Sequence, residues 1–166
     1  MSTQTANFIT NNFPLFMCGL AILFALMIPA NFNRRFFTCM LFFVIGLGGV
    51  WDFIQHNPLL QQFTPHATNW QSNPLELPFA LANLALGVSG LIAAFANWAY
   101  RAAIVSITSI WLWGSAAFQI DQMVYAQNFS LPNHSSIFLT NLLIPLILII
   151  LLIISHEKKD TNTIYY

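Results

Sequence analysis

The segment LELPFALANLALGVSGLIAAFANWAYR, residues 75–101, decides how this chain folds. Residues 75–98 carry one charged side chain, Glu76, and the run closes on Arg101. A helix crosses the hydrocarbon core of a bilayer in about 20 predominantly apolar residues, so this segment is long enough to cross. Within it Glu76, Ala80, Asn83, Gly87, Gly90, Ala94 and Asn97 recur at alternating spacings of four and three, which places them on one helix face. The opposite face is Leu, Val, Ile and Phe. Apolar side chains gain little by associating in lipid, and helices there meet through small residues that let backbones approach. The pattern predicts a membrane helix at the centre of a bundle, with a tight interface along the small-residue stripe.

Four other segments have the same apolar character. The predicted spans are residues 13–30, 36–54, 75–98, 102–125 and 137–154, an all-α membrane bundle of five transmembrane helices. Composition agrees, with 57% hydrophobic and 6% charged residues and a mean hydropathy of +0.67. Soluble domains carry about 25% charged residues. With five spans in 166 residues, the chain reads as a single integral membrane domain, residues 1–166.

The basic residues fix the expected orientation. Arg34 and Arg35 separate the first two spans, Arg101 separates the third and fourth, and Lys158 and Lys159 follow the fifth. Residues 1–12, 57–74 and 126–136 contain no Lys or Arg. Short loops rich in basic residues stay cytoplasmic, so the amino terminus is expected outside and the carboxy terminus inside. Five is also the only number of spans for which every basic residue alternates correctly. The first span lacks a positive leader and an A-x-A-like cleavage site, and reads as an uncleaved helix rather than a secretory signal. The chain has no basic patch, which argues against nucleic-acid binding. The expected partner is the lipid bilayer, with a homo-oligomer or a larger membrane complex compatible with the small-residue stripe. The expected location is a bacterial inner membrane, crossed several times.

The second span carries a matching tract, Gly46-Leu-Gly-Gly49, leading into Trp51-Asp-Phe-Ile-Gln-His56. Asp52 and His56 are four apart and share a face. On the fourth span Thr108, Ser115, Gln119 and Gln122 fall on one stripe, with Trp111 and Trp113 nearby. Cys18 and Cys39 lie at opposite depths, which excludes a disulfide between them. Asn128-Phe-Ser and Asn133-His-Ser match the glycosylation tripeptide, a short and common pattern that hugs the bilayer surface here.

The outer ends of the spans concentrate the polar residues. Asp52, His56, Glu76, Asn83, Gln119 and Asp121 form the candidate ligand pocket, with His66 and His134 in the two outer connections. Ionisable groups at membrane depth are costly and point to function. Carboxylates with imidazoles suit a divalent cation or a proton relay. Plain interfacial solvation accounts for the same residues, because charges near the interface cost roughly 0–1 kcal/mol and Glu76 sits where a helix N-terminus favours an acid. An organic ligand is the third alternative. No spacing is diagnostic of a metal or cofactor, and no phosphate loop, nucleophile elbow or metalloprotease helix occurs, so the sequence assigns no catalytic residue. Two competing classes stand beside a cation or proton site: an accessory or assembly subunit of a membrane complex, and a quinone-linked redox membrane protein.

Glu76-Leu-Pro-Phe79, Ala82-Asn-Leu84 with Gly87 and Gly90, Gln119-Ile-Asp-Gln-Met123, Asn128-Phe129 with Pro132-Asn133, and Leu143-Ile-Pro-Leu146 carry a resemblance. Over about residues 74–154 the chain resembles a family of small, uncharacterised bacterial integral membrane proteins, a domain of unknown function. The resemblance implies a compact helical bundle with a polar, externally facing site and attaches no activity to it. In that family a histidine commonly stands in the place of Gln119 and an acid in the place of Asn141, where this chain has amides.

Orientation is open to direct test. A single cysteine at position 34 in a cysteine-free background should react with a membrane-impermeant maleimide only in inverted vesicles, and one at position 66 only in intact cells. Labelling of position 34 from outside would overturn the five-span topology.

Overall fold

The computed structural model describes residues 8, 12–27, 31–57, 60, 76–125, 127 and 136–163, the last segment with side chains to residue 155. Its described elements are all helical: α1 (Phe13–Met27), α2 (Phe32–His56), α3 (Glu76–Ala93), α4 (Trp98–Val124) and α5 (Ser136–Thr163). Four of them, α2 to α5, are long and apolar enough to cross a membrane. The described part of α1 has 15 residues. At 1.5 Å per residue that is roughly 22 Å, short of the ~30 Å hydrocarbon core. His66, His134 and both glycosylation tripeptides lie outside the described residues.

Helix α2 is not uniform. Regular α-helix over Phe32–Cys39 gives way to a π-helix over Met40–Leu47 and resumes over Gly48–His56. In an α-helix, residues five apart point about 140° away from each other, whereas the wider turn of i→i+5 bonding brings them back toward the same side. The π segment therefore turns Met40 and Ile45, and Leu41 and Gly46, toward one side, and these four are buried. One continuous face thus passes from bulky core residues to glycine within two turns.

That glycine face meets the small-residue stripe of α3. A Cβ built on Gly49 would lie 2.7 Å from the Asn83 carbonyl oxygen and from the Gly87 Cα. One on Gly87 would lie 2.7 Å from the Val50 nitrogen, and one on Gly90 2.8 Å from the Gly46 nitrogen. Backbone touches backbone at these points, as the two glycine patterns predict. The predicted stripe is the buried face as far as Ala94: Glu76, Ala80, Asn83, Gly87, Gly90 and Ala94 are buried, while Leu77, Phe79, Leu81, Val88 and Ile92 are exposed, and Asn97, the last member expected, lies past the end of α3 and is exposed.

The centre of the bundle differs from the sequence expectation. Helix α2 packs against α1, α3 and α5, and α5 against α1, α2 and α4, each with more partners than α3. Helix α3 packs mainly on α2 and lightly on α4. The reason is one-sidedness: glycines admit one close neighbour, whereas the Phe37, Met40, Leu41 and Val44 side chains of α2 reach several. With Met17, Ala21, Ala93, Ala94, Ile104, Val105, Ile144, Leu148 and Leu151 they form the apolar core. Phe13 stacks on Trp51 with ring centres 4.7 Å apart, and Phe24 meets Phe43 at 5.0 Å, so α1 runs antiparallel along α2. Cys18 and Cys39 are free, half-buried thiols packed against the core.

The α3–α4 connection is short and tied down. The Asn97 side chain accepts from the Tyr100 N–H (3.0 Å), capping α4. The Arg101 Nε donates to the Ala93 carbonyl (3.0 Å) and Nη2 to the Ala94 carbonyl (2.7 Å). A helix end leaves carbonyls unserved, and a cation there also complements the helix dipole. The same guanidinium lies 5.6 Å from the centre of the Phe37 ring, one turn beyond Arg34. Trp98 Nε1 donates to the Leu152 carbonyl (3.3 Å) and Trp113 Nε1 to the Leu142 carbonyl (3.4 Å), fastening α4 to α5. Arg34, Arg35, Arg101 and the last turns of α5 consequently share one end of the bundle.

The glycine contact predicts a graded response. Gly49→Ala and Gly87→Ala should each destabilise by about 1–3 kcal/mol, the usual cost of overpacking. Gly114→Ala, where a Cβ would meet nothing within 4 Å, should be neutral or slightly stabilising. Thermal melting in detergent checks this, and equal melting of all three variants would contradict the backbone contact.

Candidate functional site

The end of the bundle opposite the arginines holds the six predicted site residues on three helices. The glycine register sets their depths. Gly49 lies against Gly87, and the strands of backbone run antiparallel, so Asp52 comes opposite Leu84, next to Asn83. Residue 84 is near the middle of Glu76–Ala93. Asp52 is one turn from the end of α2 yet level with the middle of α3, because the glycine contact is set well back from the first turn of α3. His56, one turn further out, has its ring 5.1 Å from Phe79, and its Nδ1 donates to the backbone carbonyl of Asp52 (2.9 Å). A carbonyl only accepts, so this contact fixes a proton on Nδ1 and orients the ring.

Phe79 in turn stacks on Trp111 of α4, with ring centres 5.4 Å apart. His56, Phe79 and Trp111 form an aromatic row across α2, α3 and α4. Sequence reading placed Trp111 only in the neighbourhood of the polar stripe and did not include Phe79. The signal was present, since Phe79 is four residues before Asn83, Trp111 three after Thr108, and His56 four after Asp52.

The remaining residues divide. Glu76 is buried in the first turn of α3, at the outer end of the glycine seam. Gln119 is buried about two turns beyond Trp111, where its Oε1 accepts from the Asn141 Nδ2 of α5 (3.4 Å). Asp121 is exposed near the end of α4. The structure thus joins His56 to the Asp52 carbonyl, sets Asp52 at about the height of Asn83, places Glu76 at the start of α3, engages Gln119 with α5, and leaves Asp121 exposed. Among the described residues no three His, Cys, Asp or Glu side chains are grouped so as to hold a metal ion.

The Gln119–Asn141 bond lies beside a proline. Pro145 has no N–H for the Asn141 carbonyl four residues back, and it is buried. Trp113 delivers its indole N–H to the adjacent Leu142 carbonyl. Polar side chains thus concentrate where the ladder of α5 is interrupted, which is how membrane helices tolerate proline.

A family model described as "Family of unknown function (DUF6790)" matches residues 11–161, and the chain belongs to that family. No curated protein matches the chain, and no solved structure matches it.

Interhelical polar bonds in membranes average about 0.6 kcal/mol, with a maximum near 1.7. A double-mutant cycle with Gln119→Leu and Asn141→Leu should give a coupling of about 0.5–1 kcal/mol. Additive effects in denaturant-induced unfolding would show that the two amides act independently.

Proposed function

We propose that this member of the family is a five-crossing membrane protein, amino-terminal end outside and carboxy-terminal end cytoplasmic, with an outward-facing polar site built around Asp52 and His56 that binds a proton or a small cation. The orientation follows from the clustering of Arg34, Arg35 and Arg101 at one end and their absence from the other, because basic residues are retained on the cytoplasmic side. The fifth crossing is α1, which lies along α2 through the Phe13–Trp51 and Phe24–Phe43 ring pairs.

One observation carries the site: an acid on α2, level with the middle of α3, lies one turn beneath a histidine whose ring is fixed by the acid's own carbonyl. A lone carboxylate at such depth is expensive unless a proton or cation neutralises it. The titratable groups on the helices packed against this part of α2 are Glu76 of α3 and Cys18 of α1. The described side chains of α5 include no ionisable group. Neutralisation of Asp52 accordingly comes from His56 or from solution. With no grouped triad of ligating side chains among the described residues, the geometry favours a singly charged ligand over a divalent metal.

Uptake of such a ligand links stability to its concentration, by RT ln(1 + [L]/Kd) for binding to the folded state. The melting temperature of the wild type should vary with pH between the carboxylate and imidazole ranges, and Asp52→Asn combined with Glu76→Gln should flatten that dependence. An unchanged pH profile in the double variant would return these residues to interfacial solvation.

A further inference from the structure

We propose that Arg34 of α2 and Arg101 of α4 together hold the phosphate of an anionic phospholipid headgroup at the arginine end of the bundle, a site separate from that of Asp52. The two side chains meet across the starts of their helices. The Arg101 guanidinium lies 5.6 Å from the centre of the Phe37 ring. Arg34, three residues before Phe37 and so on the same side of α2, stands close enough for the two positive charges to repel. Arg101 is held in place, because its Nε and Nη2 are committed to the Ala93 and Ala94 carbonyls. Arg34 is exposed, and its guanidinium has no hydrogen bond or ion pair among the described residues.

No described acid relieves this repulsion. The described acidic side chains are Asp52, Glu76 and Asp121, all toward the other end of the bundle. Glu157 and Asp160 belong to the last turns of α5 but are matched in number by Lys158 and Lys159, which leaves the charge of the three arginines over. An anion placed between Arg34 and Arg101 turns one repulsion into two attractions, the more so where protein and lipid lower the dielectric. A guanidinium presents its N–H groups in a planar fork that matches phosphate oxygens. Arg34 offers its whole fork, and Arg101 the Nη1 group that its two carbonyl contacts leave over.

The surroundings select a lipid over a free anion. Trp98 and Tyr100 flank Arg101 at the start of α4, and such rings sit at headgroup level. Phe95, next to the Ala94 carbonyl that Arg101 holds, is 80% exposed and gives an acyl chain an apolar surface beside the charge. Basic pockets between membrane helices take anionic headgroups in this way. A zwitterionic headgroup brings its own cation and gains less. Because the phosphate would join α2 to α4, whose main partners are other helices, its binding should register as stability.

The test uses the full-length protein in a neutral maltoside detergent. Melting is followed against added phosphatidylglycerol, phosphatidylcholine with the same acyl chains, and inorganic phosphate at matched ionic strength. Phosphatidylglycerol should raise the wild-type melting temperature in a saturable way that the other two do not reproduce. Arg34→Gln should melt at or above the wild type without lipid, since the repulsion is gone. It should nevertheless need roughly tenfold more phosphatidylglycerol for the same shift, the equivalent of one lost charged contact. Arg35→Gln removes an equal charge from the neighbouring face of α2 and should respond as the wild type. Equal responses to the two lipids, or a wild-type response in Arg34→Gln, would overturn the site. Equal losses in Arg34→Gln and Arg35→Gln would overturn it too, in favour of diffuse attraction to the basic end. A response to inorganic phosphate as strong as that to phosphatidylglycerol would make the ligand a free anion and overturn the lipid assignment.

Discussion

The contact of two backbones, through Gly46 and Gly49 on α2 and Gly87 and Gly90 on α3, is the constraint on which the other features depend. In water such a seam would be a poor interface, because it buries little apolar area. In lipid it is a good one, because the competing partner is an acyl chain as apolar as any leucine, and van der Waals contact between close backbones decides the outcome. The contact sets register as well as distance. A Cβ at Gly49, Gly87 or Gly90 would meet backbone atoms at 2.7–2.8 Å, so the helices cannot slide without meeting side chains on one side or the other. Fixing Gly49 against Gly87 is what carries Asp52 to the middle of α3 rather than to its end.

The π segment is the second half of the same device. Helix α2 must serve α1 and α5 with bulky side chains along its first half and α3 with glycines along its second. A uniform 3.6-residue period would turn Gly46 away from Leu41, leaving the core face and the glycine face on different sides. Eight residues of wider helix, Met40–Leu47, bring them into line. Segments of this kind tend to accompany functional sites. Here the segment ends one turn before Asp52, and the α-helix that resumes carries both Asp52 and His56.

Much of this was legible in the sequence, and what was missed has identifiable causes. The stripe Glu76, Ala80, Asn83, Gly87, Gly90, Ala94 declares its face because small and polar residues are conspicuous against a leucine-rich background. The Asp52–His56 pairing follows from a spacing of four. The hub role of α2 was not legible, because a π segment leaves no signature in a hydrophobic pattern, and Met40-Leu-Phe-Phe-Val-Ile45 is apolar on every side. The level of Asp52 against α3 was not legible for a related reason. Counting from the end of a helix assumes that neighbouring helices end level, and the length of α2 and its glycine register break that assumption. Arg101 was read as a marker of topology alone, whereas its guanidinium also closes the carbonyl end of α3. The pairing of Gln119 with Asn141 joins positions 22 apart, and no local spacing encodes such a contact.

These causes share a physical origin. Sequence periodicity reports which face of a helix is special, and the faces on α3 and α4 were read correctly on that basis. It does not report the height of one helix against another, because height is set by a few close contacts. In this bundle the decisive heights come from the glycine seam, which levels α2 with α3, and from the Phe79–Trp111 stack, which levels α3 with α4. With both in place, Asp52 and Asn83 stand at about the same height, one turn inward of His56 and Phe79. The candidate site is thus a property of relative helix height, and the glycines that fix the height are as much a part of it as the acid.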